Sequence, residues 1–289
     1  KYSMKNKVLT GLLLVLIGGW GNLLAQNAGS NYARQVNTLI GTKGVGLTSG
    51  YLYPGATYPY GMVQFTPSYF SKRSGFVINQ LSGGGCEHMG NFPTFPVKGK
   101  LKMSPDNILN YRINISEEKG HAGYYEAMVQ EDIKAKLTVT ERTGMASYEY
   151  PADQQYGTVI IGGGISATPI EQAAIVITAP NKCEGYAEGG NFCGLRTPYK
   201  VYFVAEFDTD ALESGTWKRD ELKPNTTFAE GEYSGVYFTF DVNKKKNIQY
   251  KIGVSYVSVE NARENLKAEN TGWDFLQIQN QAESKWNHY

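Results

Sequence analysis

Ile248-Gln249-Tyr250-Lys251-Ile252-Gly253-Val254-Ser255-Tyr256 carries an apolar or aromatic side chain at every second position. Successive side chains of a strand point to opposite faces. A strict period of two therefore means one face buried and one solvated, the signature of an antiparallel sheet. Working outward, the pattern recurs in Val236, Phe238, Phe240 and Val242, and in residues 199–207 with Val201, Phe203 and Ala205 on one face. It recurs again in Ile133-Lys134-Ala135-Lys136-Leu137-Thr138-Val139. Two continuous runs, Val159-Ile160-Ile161 and Ile175-Val176-Ile177, read as more central strands. No strand–helix–strand rhythm joins these segments, which disfavours a parallel α/β sheet. Many strands punctuated by Gly, Asn, Asp and Pro turns predict an all-β fold, a large antiparallel β-sandwich. Helical spacing enters after residue 259, first with Ala262 and Leu266, then with Phe275, Ile278, Ala282 and Trp286. The second helix carries large apolar residues to Trp286 and Tyr289, so it either folds back on its own domain or packs on a downstream one.

The 289 residues include 33 Gly and 21 Tyr, with a formal net charge of +1. Such a balance lacks the Lys and Arg excess that neutralising phosphates demands, so a dedicated nucleic-acid partner is excluded. The first 25 residues have the form of a secretory signal peptide: Met4-Lys5-Asn6-Lys7 is basic, residues 8–24 are mostly apolar, and Ala25 is a small residue for cleavage. A membrane anchor is the competing reading, since the run approaches spanning length, but Gly18, Gly19, Gly21 and Asn22 favour cleavage. The expected organisation is a signal peptide over 1–25, a sandwich domain over 26–259 and a helical segment over 260–289. The expected destination is the periplasm or the exterior, with no membrane association after cleavage.

Residues 31–97 are dense in Gly, Pro and aromatics with little alternation, a composition of ordered loops that present groups to ligands or simply connect strands. Within them, Ser82-Gly83-Gly84-Gly85-Cys86-Glu87-His88 is the densest cluster of reactive residue types. Three glycines permit positive φ and close approach of a ligand to the backbone, so a binding loop is the favoured reading and a plain glycine turn the alternative. Cys86 and His88 lie only two residues apart, whereas catalytic pairs are usually assembled by the fold. Neither Gly41-Thr42-Lys43-Gly44-Val45-Gly46 nor Gly162-Gly163-Gly164 ends as a phosphate-binding P-loop does. His88, His121 and His288 are scattered, and no metal is expected on this chain's own residues. Cys183 and Cys193 flank what reads as a Gly-rich loop, Glu184 to Phe192, and either close it as a disulfide or stay as free buried thiols, with Cys86 as the odd one in a pocket wall. Acidic residues such as Glu126, Glu131, Asp132, Glu141, Glu206, Asp208 and Asp210 sit in strand or turn contexts, and spacing marks no acid–base pair among them.

Several segments, taken in order, are similar to one known family. Val36-Asn37-Thr38-Leu39-Ile40-Gly41-Thr42, then Tyr53-Pro54-Gly55-Ala56-Thr57-Tyr58-Pro59-Tyr60-Gly61-Met62-Val63-Gln64, resemble the opening of the glycoside hydrolase family 92 α-mannosidases. So do Leu81-Ser82-Gly83-Gly84-Gly85-Cys86, Gly120-His121-Ala122-Gly123-Tyr124-Tyr125 and Thr140-Glu141-Arg142-Thr143-Gly144. Phe192-Cys193-Gly194, Tyr202-Phe203-Val204-Ala205-Glu206-Phe207 and Val254-Ser255-Tyr256-Val257-Ser258-Val259-Glu260-Asn261-Ala262-Arg263 continue the match in order. The resemblance implies an N-terminal sandwich joined by a helical linker to an (α/α)6 barrel that this chain does not contain. It implies a calcium-dependent, inverting exo-α-mannosidase acting on mannose-rich glycans, with the acid, the base and most calcium ligands in the barrel. The chain would then be a pocket-completing domain whose partner is its own catalytic domain, inactive alone. A carbohydrate-binding sandwich without catalysis is the alternative. By resemblance the substrate-binding residues are Leu39, Gly41 and Thr42 from one loop and Ser82, Gly85, Cys86, Glu87 and His88 from another. Asn79-Gln80 and Glu87-His88 depart from a common family pattern, and residues 65–75 are short for it, on the side that would border the leaving group.

Overall fold

The computed structural model describes residues 31–42, 52–68, 75–106 and 114–289. The signal segment and residues 43–46 of the first glycine motif lie outside the described residues. Residues Tyr32–Tyr289 form one compact unit. Among the described residues, seventeen strands, numbered in chain order, build two antiparallel sheets. In spatial order the first sheet comprises β1 (Ala56–Thr57), β2 (Gln64–Pro67), β3 (Phe76–Val77), β4 (Thr94–Lys98), β9 (Tyr156–Gly162), β16 (Ser234–Asp241), β13 (Glu213–Lys218) and β14 (Glu221–Pro224). The second comprises β15 (Phe228–Glu230), β10 (Ile170–Ala179), β11 (Lys182–Phe192), β12 (Leu195–Phe207), β17 (Asn247–Ser255), β8 (Thr143–Glu149), β7 (Ile133–Val139), β6 (Tyr124–Val129) and β5 (Ile115–His121).

The period-two faces meet between the sheets. Val201, Phe203, Ala205 and Phe207 of β12 and Ile248, Tyr250, Ile252 and Val254 of β17 are buried in one core. Phe207 stands with its ring 5.0 Å from Phe238, 5.1 Å from Phe240 and 5.3 Å from Tyr250, so aromatic contacts tie the two sheets together. Rings in tilted, offset arrangements at such spacing add to plain area burial. The run 159–161 lies in β9, between β4 and β16, as a central strand should. The run 175–177 does not. It lies in β10, next to the short edge strand β15, and Val176 turns half-exposed to the outside while Ile175 and Ile177 face the core. A continuous apolar run near an edge still obeys the pleat, and period two overrides composition there.

Two helices follow β17, α1 (Val259–Glu269) and α2 (Phe275–His288). Each starts on a side-chain cap: Ser258 accepts from the amide of Asn261, and Asp274 from the amide of Gln277. Both lie on the outer face of the second sheet, and each docks over a glycine. A Cβ on Gly253 would stand 2.5 Å from the Ala262 carbonyl oxygen, and one on Gly123 2.8 Å from the Ala282 Cβ. Only glycine permits helix and sheet to approach so closely. Phe275, Ile278 and Ala282 are buried and the Trp286 indole donates to the Thr57 carbonyl at 2.7 Å. The stripe of Phe275, Ile278 and Ala282 is thus spent on the helix's own sandwich, while Leu276 and Tyr289 stay exposed. No helix among the described residues is long and apolar enough to cross a membrane.

The cysteine pairing differs from the expectation. Cys86 is bonded to Cys193, and Cys183 is a free, buried thiol. Cys183 and Cys193 belong to one extended strand and its turn. Ten residues at about 3.3 Å each set them roughly 30 Å apart, against the ~4.4–6.8 Å between Cα atoms that a disulfide spans. Cys183 points to the core in phase with Gly185 and Ala187, and burial holds its thiol well above the usual range.

Candidate functional site: a two-loop rim

Residues 82–88 form a closed loop on the surface. Its base is pinned where the Leu81 amide donates to the His88 carbonyl at 3.3 Å. Below it, Asn79 and Asn91 clasp each other: the Asn91 amide donates to Asn79 Oδ1 at 2.7 Å, and Asn79 Nδ2 donates to Asn91 Oδ1 at 3.1 Å. The Tyr199 hydroxyl donates to the same Asn91 oxygen at 2.8 Å, and burial raises that phenol to about 12. Asn79 also donates to the Tyr256 hydroxyl at 3.3 Å. Tyr256 lies two residues before the cap of α1, so the loop sits over the point where the chain leaves the sheet for the helices.

The structure brings the two sequence-predicted loops to one rim. Thr42 donates to the Leu39 carbonyl at 2.8 Å and closes the first as a tight turn, with Gly41 at φ 80°. Leu52 bridges the two: a Cβ on Gly41 would lie 2.7 Å from its side chain and one on Gly83 3.6 Å from it. The neighbouring Tyr53 amide donates to Ser82 Oγ at 3.3 Å. Gly85, at φ 76°, has nothing within 4 Å of the place a Cβ would occupy, so its backbone is open to a ligand. Leu39 and Glu87 are half-buried, Ser82 is exposed, and Cys86 is committed to its disulfide. His88 points away from the rim. Its Nδ1 lies 3.3 Å from the Asn191 carbonyl, and its ring sits edge-on between Phe192 and Tyr199. It anchors the loop and does not face the open side.

Sequence reasoning missed Leu52, Tyr53 and the β11–β12 turn of Asn191, Phe192, Cys193 and Gly194. Asn191 and Gly194 are turn residues, but the glycines of 184–192 gave that stretch the look of a loop, whereas it is strand β11 and the turn is confined to its end. Its meeting with a loop more than a hundred residues earlier is a tertiary fact.

Several carboxylates elsewhere are held by structural partners. Glu269 accepts from the Thr140 hydroxyl at 2.6 Å and the Arg142 amide at 2.8 Å and pairs with the Arg142 side chain. Glu283, nearly buried, pairs with Arg34 at 2.8 Å and lies 3.6 Å from His121. Asp208 pairs with Lys245, Glu184 with Arg263, and Glu206 with Lys182 and Lys251. Burial lowers the Lys251 ammonium, and Glu206 acts against it. A polar cleft of about 370 Å³ under the α1–α2 turn is lined by the Arg142–Glu269 pair together with Glu141 and Asp274. Among the described residues no group of three or more His, Cys, Asp or Glu side chains could hold a metal ion.

The fold is a two-sheet antiparallel sandwich that carries two glycine-containing loops on one rim. The sequence matches the glycosyl hydrolase family 92 N-terminal domain over residues 35–255, and the chain belongs to that family. An uncharacterized secreted glycosidase of Arthroderma benhamiae is 25% identical over 292 residues, covering 88% of this chain and 37% of that protein. The family GH92 alpha-mannosidase BT3965 of Bacteroides thetaiotaomicron superposes with a TM-score of 0.76 at 24% identity, over 90% of this chain and 38% of that one. The family GH92 inverting mannosidase BT2199 of the same species superposes with a TM-score of 0.68 at 24% identity, over 83% of this chain and 33% of that one. The chain thus spans between 33% and 38% of the length of these relatives.

Proposed function

We propose that this chain is the pocket-completing N-terminal domain of an exported, calcium-dependent, inverting exo-α-mannosidase that acts on mannose-rich glycans. The observation that carries the reading is the open rim on which residues 39–42 and 82–88 converge through Leu52, with the Gly85 backbone exposed beside it. Bacteroides BT3965 has been solved with mannoimidazole bound, and BT2199 is described as inverting, which supports both the substrate class and the stereochemistry. The Cys86–Cys193 disulfide supports export, since structural disulfides persist in oxidising compartments, and the Arthroderma relative is named as secreted.

Inversion needs an acid on the leaving oxygen and a base that activates water on the other face, about 6.5–9.5 Å apart. The family resemblance places both groups in the catalytic domain that would close the pocket. The resemblance places calcium, which would supply a charge to hold sugar hydroxyls, with that domain as well, and among the described residues no group of three or more His, Cys, Asp or Glu could hold a metal ion. The role of the sandwich is binding. Rim amides such as that of Gly85 donate to sugar hydroxyls, while Leu39 and Leu52 exclude water from one edge of the ring.

The test is mannose release from α-linked mannobioses by the native gene product, with calcium or with a chelator, beside residues 26–289 alone. Release by the full protein that the chelator abolishes, and none by the fragment, is expected. No release by the full protein in either condition overturns the reading.

A further inference from the structure

The β11–β12 turn is assigned no role in the rim, yet it holds residues 82–88 at three places. Cys193 is bonded to Cys86, His88 is wedged against Phe192 and Tyr199 at ring distances of 5.4 and 5.5 Å, and a Cβ on Gly84 would lie 3.3 Å from the Phe192 ring. The turn is itself stiff. Asn191 Oδ1 accepts from the Gly194 amide at 2.9 Å, and Cys193 and Gly194 both have positive φ, 53° and 84°, as a tight hairpin turn requires. It rides on two long paired strands of 11 and 13 residues. The loop it holds contains three consecutive glycines, which left alone would populate many backbone shapes. Beyond the turn, Leu195, two residues after the bridged Cys193 and directly across the hairpin from Phe192, is 72% exposed, while Phe192 packs on His88.

We propose that this turn is a positioning and specificity element of the sugar pocket. Cys193, Asn191 and Phe192 hold residues 82–88 in one binding shape, and Leu195 supplies an apolar contact to the residue attached to the terminal mannose. The inference rests on the reading of residues 82–88 as sugar-facing. Sugar rings present apolar C–H patches between their hydroxyls, and an exposed leucine at the edge of a polar rim matches such a patch. A loop ordered in advance loses less freedom when ligand binds, so the turn acts on binding and leaves the bond-breaking step to groups elsewhere.

Three measurements on the native gene product test it. Leu195→Ser is expected to lower kcat/KM for α-mannobiose at least threefold and to leave α-mannosyl fluoride, with its minimal leaving group, unchanged. Cys86→Ser/Cys193→Ser is expected to raise KM for both substrates about tenfold with kcat nearly constant, the scale of ordering a few residues on binding. Hydrogen exchange of the amides of residues 83–87 is expected to accelerate at least tenfold when dithiothreitol reduces the disulfide of the unmutated protein, an arm that needs neither activity nor a folded variant. Equal loss on both substrates, or none, in Leu195→Ser overturns the specificity role. Unchanged exchange on reduction overturns the positioning role. A wild-type protein that releases no mannose sinks the enzymatic reading and the role of Leu195 together, while the exchange result still decides whether the turn holds the loop.

Discussion

Removing the Cys86–Cys193 bridge by the double substitution Cys86→Ser/Cys193→Ser acts first on the unfolded chain. The bridge joins residues 107 apart in sequence. In the chain-entropy picture, a cross-link closing roughly 100 residues denies the denatured state about 4.7 kcal/mol of conformational freedom. That figure is an upper value, because denatured chains are already compact and serine at one half-buried and one exposed site relaxes part of the native cost. The expected loss is therefore about 2–5 kcal/mol. For a chain of this size each kcal/mol moves Tm by about 2–4 °C, so the midpoint should drop by roughly 5–15 °C. Equilibrium unfolding in guanidinium of the wild type, the double variant and the reduced wild type measures it, and the last two should agree. Thiol counting provides a second reading: the denatured wild type should show one thiol per chain, Cys183, and the reduced protein three. A stability loss under about 1 kcal/mol, or three thiols in the unreduced protein, would refute the pairing and the reasoning built on it.

Glu269→Ala strips the acceptor from the Thr140 hydroxyl, the Arg142 amide and the Arg142 side chain, and should cost about 2–4 kcal/mol in urea unfolding, with Glu269→Gln recovering part of it; a loss below about 1 kcal/mol would show that the α1–α2 turn is held by other contacts. Gln80→Leu should leave stability unchanged or raise it by about 1 kcal/mol, because both amide atoms of Gln80 are buried without a hydrogen-bond partner; a loss above about 2 kcal/mol would reveal a partner worth keeping. Burial pushes the Glu126 carboxyl up, but the Tyr124 hydroxyl and the ammoniums of Lys134 and Lys119 outweigh it and hold it below its ordinary 4.5. Its folded-state value is the lower one, so its contribution is complete above about pH 4.5 and drains away as the pH falls through that value. The stability gap between wild type and Glu126→Gln should accordingly be level near neutrality and close in acid, and a gap that widens in acid would contradict the assignment.

The sequence by itself determined whatever depends on neighbours along the chain. Alternation in 133–139, 199–207 and 248–256 is read from residues two apart, and these segments lie in β7, β12 and β17 with the stated faces inward, except that β17 ends at Ser255 and Tyr256 is exposed beyond it. The spacing of Ala262 with Leu266, and of Phe275 with Ile278 and Ala282, likewise marked the buried faces of both helices. The family resemblance rests on ordered segments, and these too are local. Only the tertiary structure decided which loops share a surface. Leu52 between Gly41 and Gly83, and Cys193 on Cys86 rather than Cys183, follow from where distant hairpins come to rest in a two-sheet stack. The same holds for the half-exposed Val176, since edge or centre depends on which strands pair alongside and not on the residues of the strand itself. A period of two fixes which way a side chain points relative to its own backbone. It carries no information about what stands opposite, and that is the physical reason the pleat was legible and the rim was not.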